Sequence, residues 1–528
     1  MPEYRTPGVH IEEVDRGPTP IQGVSTSVAG FVGATERGPL EPQLVTSWAE
    51  FYRTYGGFTT DADWDPGYDP TLAYAVRGFF ENGGNRAWVA RVVPDDWIDT
   101  ASRVASADLS DGSNTVMTVN AIGPGIWGGN VVVEVDDASS GNPDRFKLRI
   151  GYFRNASNLS NDYDTIAKAT NEGPPEHEEV YDELSADETE TNYYKSTIEG
   201  SSSLVSITAG SSTSPPSNGT TSLSFSLSNP ASTLQTNLDI GDYNGSDVQG
   251  QRIGLQRFDE IDEITMVIVP DETQHDDLRL DVIAHCERRK DRIAILGTES
   301  DTDLTGLPTS QSGQGLQSEY AALYYPWVTI RDPETDLERD VPPGGHVAGI
   351  YARSDANHGV HKAPANEGVR GIIGLERTIT KEDQQSLNPE GVNCIRNFQG
   401  RGTLVWGART TSNDPSWKYV NVRRLFMYIE ESIEESTQWV VFEPNNPDLW
   451  ARVRQSVSNF LTGLWEDGAL MGTSPDEAFY VKCDRTTMTQ NDIDNGRLIC
   501  EIGIAPVKPA EFVVFRISQT TAGGSGGG

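Results

Sequence analysis

Apolar residues recur along this chain in two rhythms, and each rhythm predicts its own elements. The run VAGFVGA (28–34) is short, apolar and followed by a Gly-Pro turn, which predicts a buried strand. SWAEFYRTYGGF then predicts a short helix, with Ser47 as cap, Glu50 at the capping-box position and Gly56-Gly57 as the stop. A second helix is predicted around 70–82, ending at Asn82-Gly83-Gly84, before a strand in RAWVARVV (86–93). The same rhythm resumes at 261. Strand EITMVIVP leads into DDLRLDVIAHCERRK, where Leu278, Val282, Ile283 and Cys286 share one helical face, and strand RIAILG (292–297) follows. That is a βαβ unit, which implies parallel strands and a right-handed crossover. The clearest helical stripes lie near the C-terminus. Val422, Leu425, Phe426, Ile429 and Ile433 form one of them. Leu449, Trp450, Val453, Val457, Phe460, Leu461 and Leu464 form the other, opened by Asn446 as cap, Pro447 and Asp448, and stopped by Gly468. Three strands follow, in AFYVKCD, GRLICEIGI and EFVVFRIS.

Between about 105 and 250 the rhythm changes to short alternating strands such as TVMTVN and LSFSLS, separated by dense turn residues. From 196 to 236, 21 of 41 residues are Ser or Thr, and 171–194 holds nine acids and no Lys or Arg. The Asn-x-Ser/Thr sequences at Asn155, Asn158, Asn218 and Asn244 fall here too, as a Ser-rich stretch supplies by chance. The region reads as an all-β insertion on the outside of the molecule. Residues 1–25 combine Pro2, Pro7, Pro18 and Pro20 with the strand-like GVHIEEV, which reads either as a loose tail or as an arm that pairs with another subunit's sheet edge. The expected organisation is a multidomain α+β or α/β chain with extended arms at both ends. An N-terminal arm (1–25) precedes a first core part (26–104), the insertion (105–250) and a central α/β domain (251–395). A C-terminal domain (396–510) and a strand with a Gly-rich tail (511–528) complete it.

Composition narrows the function. The chain has 528 residues, enough for about two to four domains. Acids number 78 against 41 bases, a net charge of −37, which argues against gripping a phosphate backbone, so no nucleic-acid partner is expected. Only 9 of the 41 bases are Lys, and a large acid excess with scarce Lys fits a halophilic host, where salt screens self-repulsion. No apolar run approaches the roughly 18 residues of a membrane span, so no direct membrane insertion is expected. The start lacks the layout of a signal peptide, which points to synthesis in the cytoplasm. The cysteines at 286, 394, 483 and 500 include no pair close in sequence. They read as buried apolar residues rather than a disulfide framework or zinc site.

Candidate chemistry is sparse. Asp332 or Asp355, then His358, then Gly472-Thr473-Ser474 follow the Asp…His…Ser order of subtilisin-type hydrolases. Ser474 is followed by Pro475 and a strand rather than by a long helix, so the nucleophile context is wrong. His358 and His361 have metal-ligand spacing, but they sit in SDANHGVHKAPAN, where Gly and Pro argue for a loop, and nothing completes a site. GIWGGN and PPGGHVAG lack the Lys-Ser/Thr of a phosphate loop. ERRKDR (287–292) reads as a basic helix end. No catalytic residue, cofactor or metal is assigned.

Three long segments, taken together, resemble contractile tail sheath proteins of tailed phages and contractile injection systems. They are PGVHIEEV through the 28–57 region, PPGGHVAGIYARSDANHGVHKAPAN, and the stretch from WKYVNVRRLFMYIEES to IGIAPVKPAEFVVFRI. The resemblance covers roughly 1–100 and 250–517, in order. It implies a sheath core shared with that family, a central domain likened to the subtilisin fold but non-catalytic, and an outer insertion. It implies a structural subunit that polymerises helically, as stacked hexameric rings, around an inner tube protein and contracts to drive that tube through a cell envelope. Baseplate and terminator or cap proteins would be its other partners. Such a particle would be assembled in the host cytoplasm as a virion tail or an extracellular phage-tail-like particle. Arm contacts would fall on Val9, Ile11 and Val14 and on Phe512, Val513, Val514, Phe515 and Ile517, while Arg423, Arg424, Arg452 and Arg454 are candidates to face the tube. The competing reading is a secreted subtilisin-like hydrolase or a surface adhesin.

Overall fold

The computed structural model describes residues 20–59, 70–98, 103–154, 166, 174–225, 238–245, 252–304, 307 and 316–516. The chain divides into two compact units. One comprises Val24–Gly359 with Pro364–Val420; the other comprises Asn421 onward with Val360–Ala363 and the described residues 20–23.

The first unit opens with β1 (Ala29–Gly33), β2 (Gln43–Val45), helices α1 (Trp48–Tyr55) and α2 (Leu72–Asn82), and β3 (Ala87–Arg91). Ser47 caps α1 as its sequence implies, accepting from the Glu50 amide. The Glu50 carboxylate instead reaches one residue further back, to the amide and hydroxyl of Thr46. After the insertion come β11 (Met266–Ile268), α3 (Asp276–Arg289), β12 (Ile293–Leu296) and β13 (Ala321–Tyr325). They are followed by β14 (Val328–Arg331), β15 (Glu338–Val341), α4 (Gly344–His358), β16 (Glu367–Gly368), β17 (Gly374–Leu375), β18 (Val392–Phe398) and β19 (Gly402–Val405). Nine of these strands make one sheet in the order β16-β19-β18-β13-β12-β11-β1-β3-β2, and β14, β15 and β17 make a smaller one. The interior of the large sheet is parallel, so its strands are buried on both faces and read as continuous apolar runs. The βαβ unit appears as predicted, with Leu278, Val282, Ile283 and Cys286 all buried.

Two boundaries change. Residues 26–104 and 251–395 do not form separate parts, because β1 pairs with β3 on one side and with β11 on the other. The 395/396 boundary cuts β18, whose antiparallel pairing with β19 extends the same sheet. SDANH, expected to lie in a loop, instead forms the end of α4, which begins within PPGGHVAG. Its glycines serve the crossing with α2. A Cβ on Gly345 would lie 2.0 Å from the Ala75 carbonyl oxygen, and one on Gly349 would lie 2.3 Å from that of Phe79. The backbones touch, and only glycine permits it.

The intervening region holds β4 (Ser106–Ser110), β5 (Thr115–Ala121), β6 (Val131–Asp137), β7 (Arg145–Tyr152), β8 (His177–Ser185), β9 (Val205–Ala209) and β10 (Gly219–Ser222). They form two antiparallel sheets, β10-β6-β7-β8 and β4-β5-β9, which among the described residues pair with no strand of the large sheet. One apolar core, including Val116, Val119, Trp127, Val133, Leu148 and Ile207, lies between them, with the short helix Tyr194–Ile198 packed into it. The acid run is partly structural. Glu178 pairs with Arg149 at 2.6 Å, and Glu179 accepts from Ser202 and Ser203. Buried in that hydrogen-bond set, Glu179 is pushed down to about 2: burial opposes ionisation, and bonds from His177 and the two serines outweigh it.

Candidate functional site

The C-terminal unit is built on two helices, α5 (Val420–Ser436) and α6 (Pro447–Glu466), with β20 (Phe479–Lys482) and β21 (Glu501–Ile504). Asn446 caps α6 by accepting from the Leu449 amide at 2.9 Å, and Pro447 stands at its first turn, as their sequence positions require. Leu425 and Ile429 of α5 and Leu449, Trp450, Val453, Val457 and Leu461 of α6 make one core. Val422 is buried too, whereas Phe426 and Ile433 are only partly so. Gly23 enters this unit against α5: a Cβ there would overlap the Tyr428 ring, and the Gln22 amide donates to the Ser436 hydroxyl.

β20 and β21 pair antiparallel as a sheet of two strands, and among the described residues no third strand joins them. An isolated pair of strands is marginal and offers unpaired edges. Beyond β21 the chain is held through residue 507. Ala505 donates to Ala478, Met471 donates to Ala505, Val507 donates to Ala469, and Asn421 donates to the Val507 carbonyl. From there the backbone runs on to Arg516 outside any regular element. Phe512, Val513, Val514 and Phe515 are between 69% and 83% exposed, four apolar side chains in succession. The strand predicted at 511–517 is therefore not formed within this chain over 511–516. Val9, Ile11, Val14 and Ile517 lie outside the described residues.

The arginines expected at the surface separate into two pairs. Arg423 and Arg424 are each only 3% exposed, which corrects their assignment as tube-facing. Arg423 bonds Glu430 at 3.0 Å and lies over the Phe426 ring, an arrangement that lets α5 bury a cation. Arg454 donates to the Cys483 carbonyl at 3.2 Å, so it braces the end of β20. Arg452 is 41% exposed, stacked on Trp439 and paired with Glu443 at 3.4 Å.

The enzyme-like residues are otherwise engaged. Ser474 stands just before the four-residue helix Pro475–Ala478 in the C-terminal unit, its carbonyl accepting from the Glu477 and Ala478 amides, while Asp332, Asp355 and His358 belong to the other unit. Asp332 is held by Tyr74 and Arg339, and Asp355 accepts from Thr26 at 2.7 Å. His358 is the last residue of α4, and Gly359 separates it from His361, so the two do not share a helix turn. Within ERRKDR, Arg288, Arg289 and Arg292 bind Asp259, Asp262, Asp291 and backbone carbonyls. Sequence reading missed one feature altogether: Cys483 and Cys500 face each other at the end of the β20–β21 pair.

Comparison with known proteins gives concordant results. Residues 245–411 match the phage tail sheath protein central domain, and residues 412–520 match the phage tail sheath C-terminal domain, together more than half the chain. The tail sheath protein of Burkholderia phage BcepMu is 28% identical over 242 residues, covering 43% of this chain and 49% of that protein. That of Vibrio phage KVP40 is 24% identical over 231 residues, covering 43% of this chain and 34% of the other. The chain thus spans about a third to a half of these two relatives' lengths. Among solved structures, the sheath complex of an extracellular contractile injection system in its contracted state covers 99% of both chains, with 22% identity and TM-score 0.58. A sheath tail protein from Listeria innocua covers 92% of this chain and 96% of its own, with 13% identity and TM-score 0.57. At those identities the likeness is one of fold.

Proposed function

The chain belongs to the contractile tail sheath family, and from that premise we propose that it polymerises head to tail around an inner tube and contracts to drive that tube through a target envelope. The observation that carries this reading is the exposed 512–515 segment in a unit whose β20–β21 sheet has two strands among the described residues. An extended segment with apolar side chains on both faces suits strand addition to a neighbour's β20–β21 edge. Main-chain bonds would supply affinity there and alternate side chains would supply register. Val513, Phe515 and Ile517 would face one way and Phe512 and Val514 the other, with Val9, Ile11 and Val14 completing the joint. A head-to-tail contact of this kind does not close on itself, so it generates helical arrays or stacked hexameric rings.

Contraction then requires two packings of the same rigid units, the extended one kinetically trapped and the contracted one lower in free energy. The role is structural, without catalysis or cofactor. The inner tube, baseplate and terminator or cap proteins are its proposed partners, and Arg452 and Arg454, both partly exposed, are the tube-facing candidates that remain. The 105–250 insertion would face outward on a particle assembled in the host cytoplasm and working as a virion tail or an extracellular particle. A net charge of −37 fits a halophilic setting, where salt screens repulsion among many copies.

Substituting Val513→Asp with Phe515→Asp tests the joint. Both side chains are exposed in the single chain, so the subunit should fold normally and remain soluble. Sedimentation should show its polymer lost while the unaltered chain pellets. Equal pelleting would remove this segment from the joint.

A further inference from the structure

The register of β20 and β21 pairs Phe479 with Ile504, Tyr480 with Gly503, Val481 with Ile502 and Lys482 with Glu501. One step further, it sets Cys483 opposite Cys500. The Ala505 amide donates to the Ala478 carbonyl, so 478/505 is a hydrogen-bonded pair. Alternation makes 480/503 and 482/501 hydrogen-bonded as well, and 483/500 a non-hydrogen-bonded pair. Such positions hold Cα atoms about 4.5 Å apart with side chains close, inside the range that a disulfide spans. The Cys483 carbonyl points away from β21 and takes the Arg454 guanidinium, as that geometry demands. Both cysteines lie on the face turned to the α5–α6 core, Cys483 fully buried and Cys500 partly so. Beyond them, Thr487 donates to the Ile499 carbonyl and accepts from the Asp484 amide, which ties the two chain ends together.

We propose that Cys483 and Cys500 are a disulfide site, closed across β20 and β21 by a small-molecule disulfide such as oxidised glutathione and open in a reducing compartment. The partly exposed Cys500 is the sulfur that an external disulfide reaches. Its thiolate attacks that disulfide, forms a mixed disulfide and releases one glutathione thiolate, which takes up a proton. The Cys483 thiolate then attacks the Cys500 sulfur and expels the second glutathione. Two protein thiols are oxidised, and one glutathione disulfide is reduced to two thiols. In the free pair Cys500 donates to Cys483, which holds the Cys483 thiol below the usual range and the Cys500 thiol above it. Once Cys500 is in the mixed disulfide that bond is gone, and the nearby Arg454 charge is what favours the Cys483 thiolate in the second step. Cys286 and Cys394 stand apart: both are buried in the other unit, and burial pushes their thiols up to about 12. The bond would staple the sheet that the assembly reading uses, but its formation does not depend on that reading.

The full chain is incubated with oxidised glutathione, then denatured and titrated for free thiols, with tryptic mapping of the product. Cleavage after Arg485 and Arg497 separates the two cysteines, so a linked peptide pair identifies the bond. The titre should fall from four thiols to two, with 483 linked to 500, and dithiothreitol should restore four. A titre that stays at four, a stable glutathione adduct without closure, linkage to Cys286 or Cys394, or linkage between chains would each overturn the proposal.

Discussion

Arg292 is fully buried, yet its guanidinium bonds the Phe258 and Ile261 carbonyls and the Asp291 carboxylate. Arg91 does similar work between Gly38 and Pro124, and Arg37 bonds the carbonyls of Tyr52 and Arg53. A guanidinium spreads five donors in a rigid plane and so reaches carbonyls on separate segments, which the single ammonium of a lysine does less readily, and this gives the scarcity of Lys a structural cause. Sequence reading placed Arg423 and Arg424 on an exposed face with Arg452 and Arg454. The first two were misplaced, since only packing reveals which cations are enclosed. Histidine carries a prediction at this scale. His346 is buried on α4 against α2, and burial, with Arg77 nearby, lowers it to about 4. The unfolded imidazole binds its proton near 6.5, so between those values the unfolded chain holds more protons than the folded one. Stability is complete above 6.5 and falls as pH drops toward 4, by about 3 kcal/mol from this residue. Denaturant midpoints followed from neutral pH into acid should fall less steeply for His346→Leu than for the unaltered chain. Matching slopes would mean that His346 does not carry the loss; His285, also lowered to about 4 by burial and Arg292, would then be the next group to examine.

Helices α1 and α6 were legible from their caps, and α3, α5 and α6 from their apolar stripes, all of which act locally. α4 was not. Its glycines oppose helix formation by intrinsic preference and are there because α2 crosses so closely, a reason held by another part of the chain. Gly345→Val puts three heavy atoms against the Ala75 carbonyl and must force α2 and α4 apart. The expected cost is about 2–4 kcal/mol, read as a lowered denaturant midpoint. Val at Gly463 of α6, where nothing lies within 4 Å of an added Cβ and the backbone is helical, should cost far less. If the two variants were equally stable, the crossing would not depend on that contact. The Cys483–Cys500 pair escaped notice for the same kind of reason, because its proximity arises from strand register across an intervening turn and not from spacing.

For the whole molecule, sequence order misleads about domains. β1 and β11 are separated by the entire insertion yet are neighbours in one sheet, a pairing that no local pattern announces. What did survive to this scale was the long collinear resemblance over the first and last parts of the chain, and its C-terminal portion coincides with the matched family domains. The acid excess changes meaning here as well: part of the 171–194 run is bound into β8 and its partners, and the remaining charge must be screened between copies. The central claim is that these subunits assemble with one another. Electron microscopy of the purified full chain, in concentrated and in dilute salt, tests it most directly. The account predicts tubes or stacked rings in concentrated salt that shorten or disperse as salt is removed, and monodisperse single subunits under both conditions would contradict it.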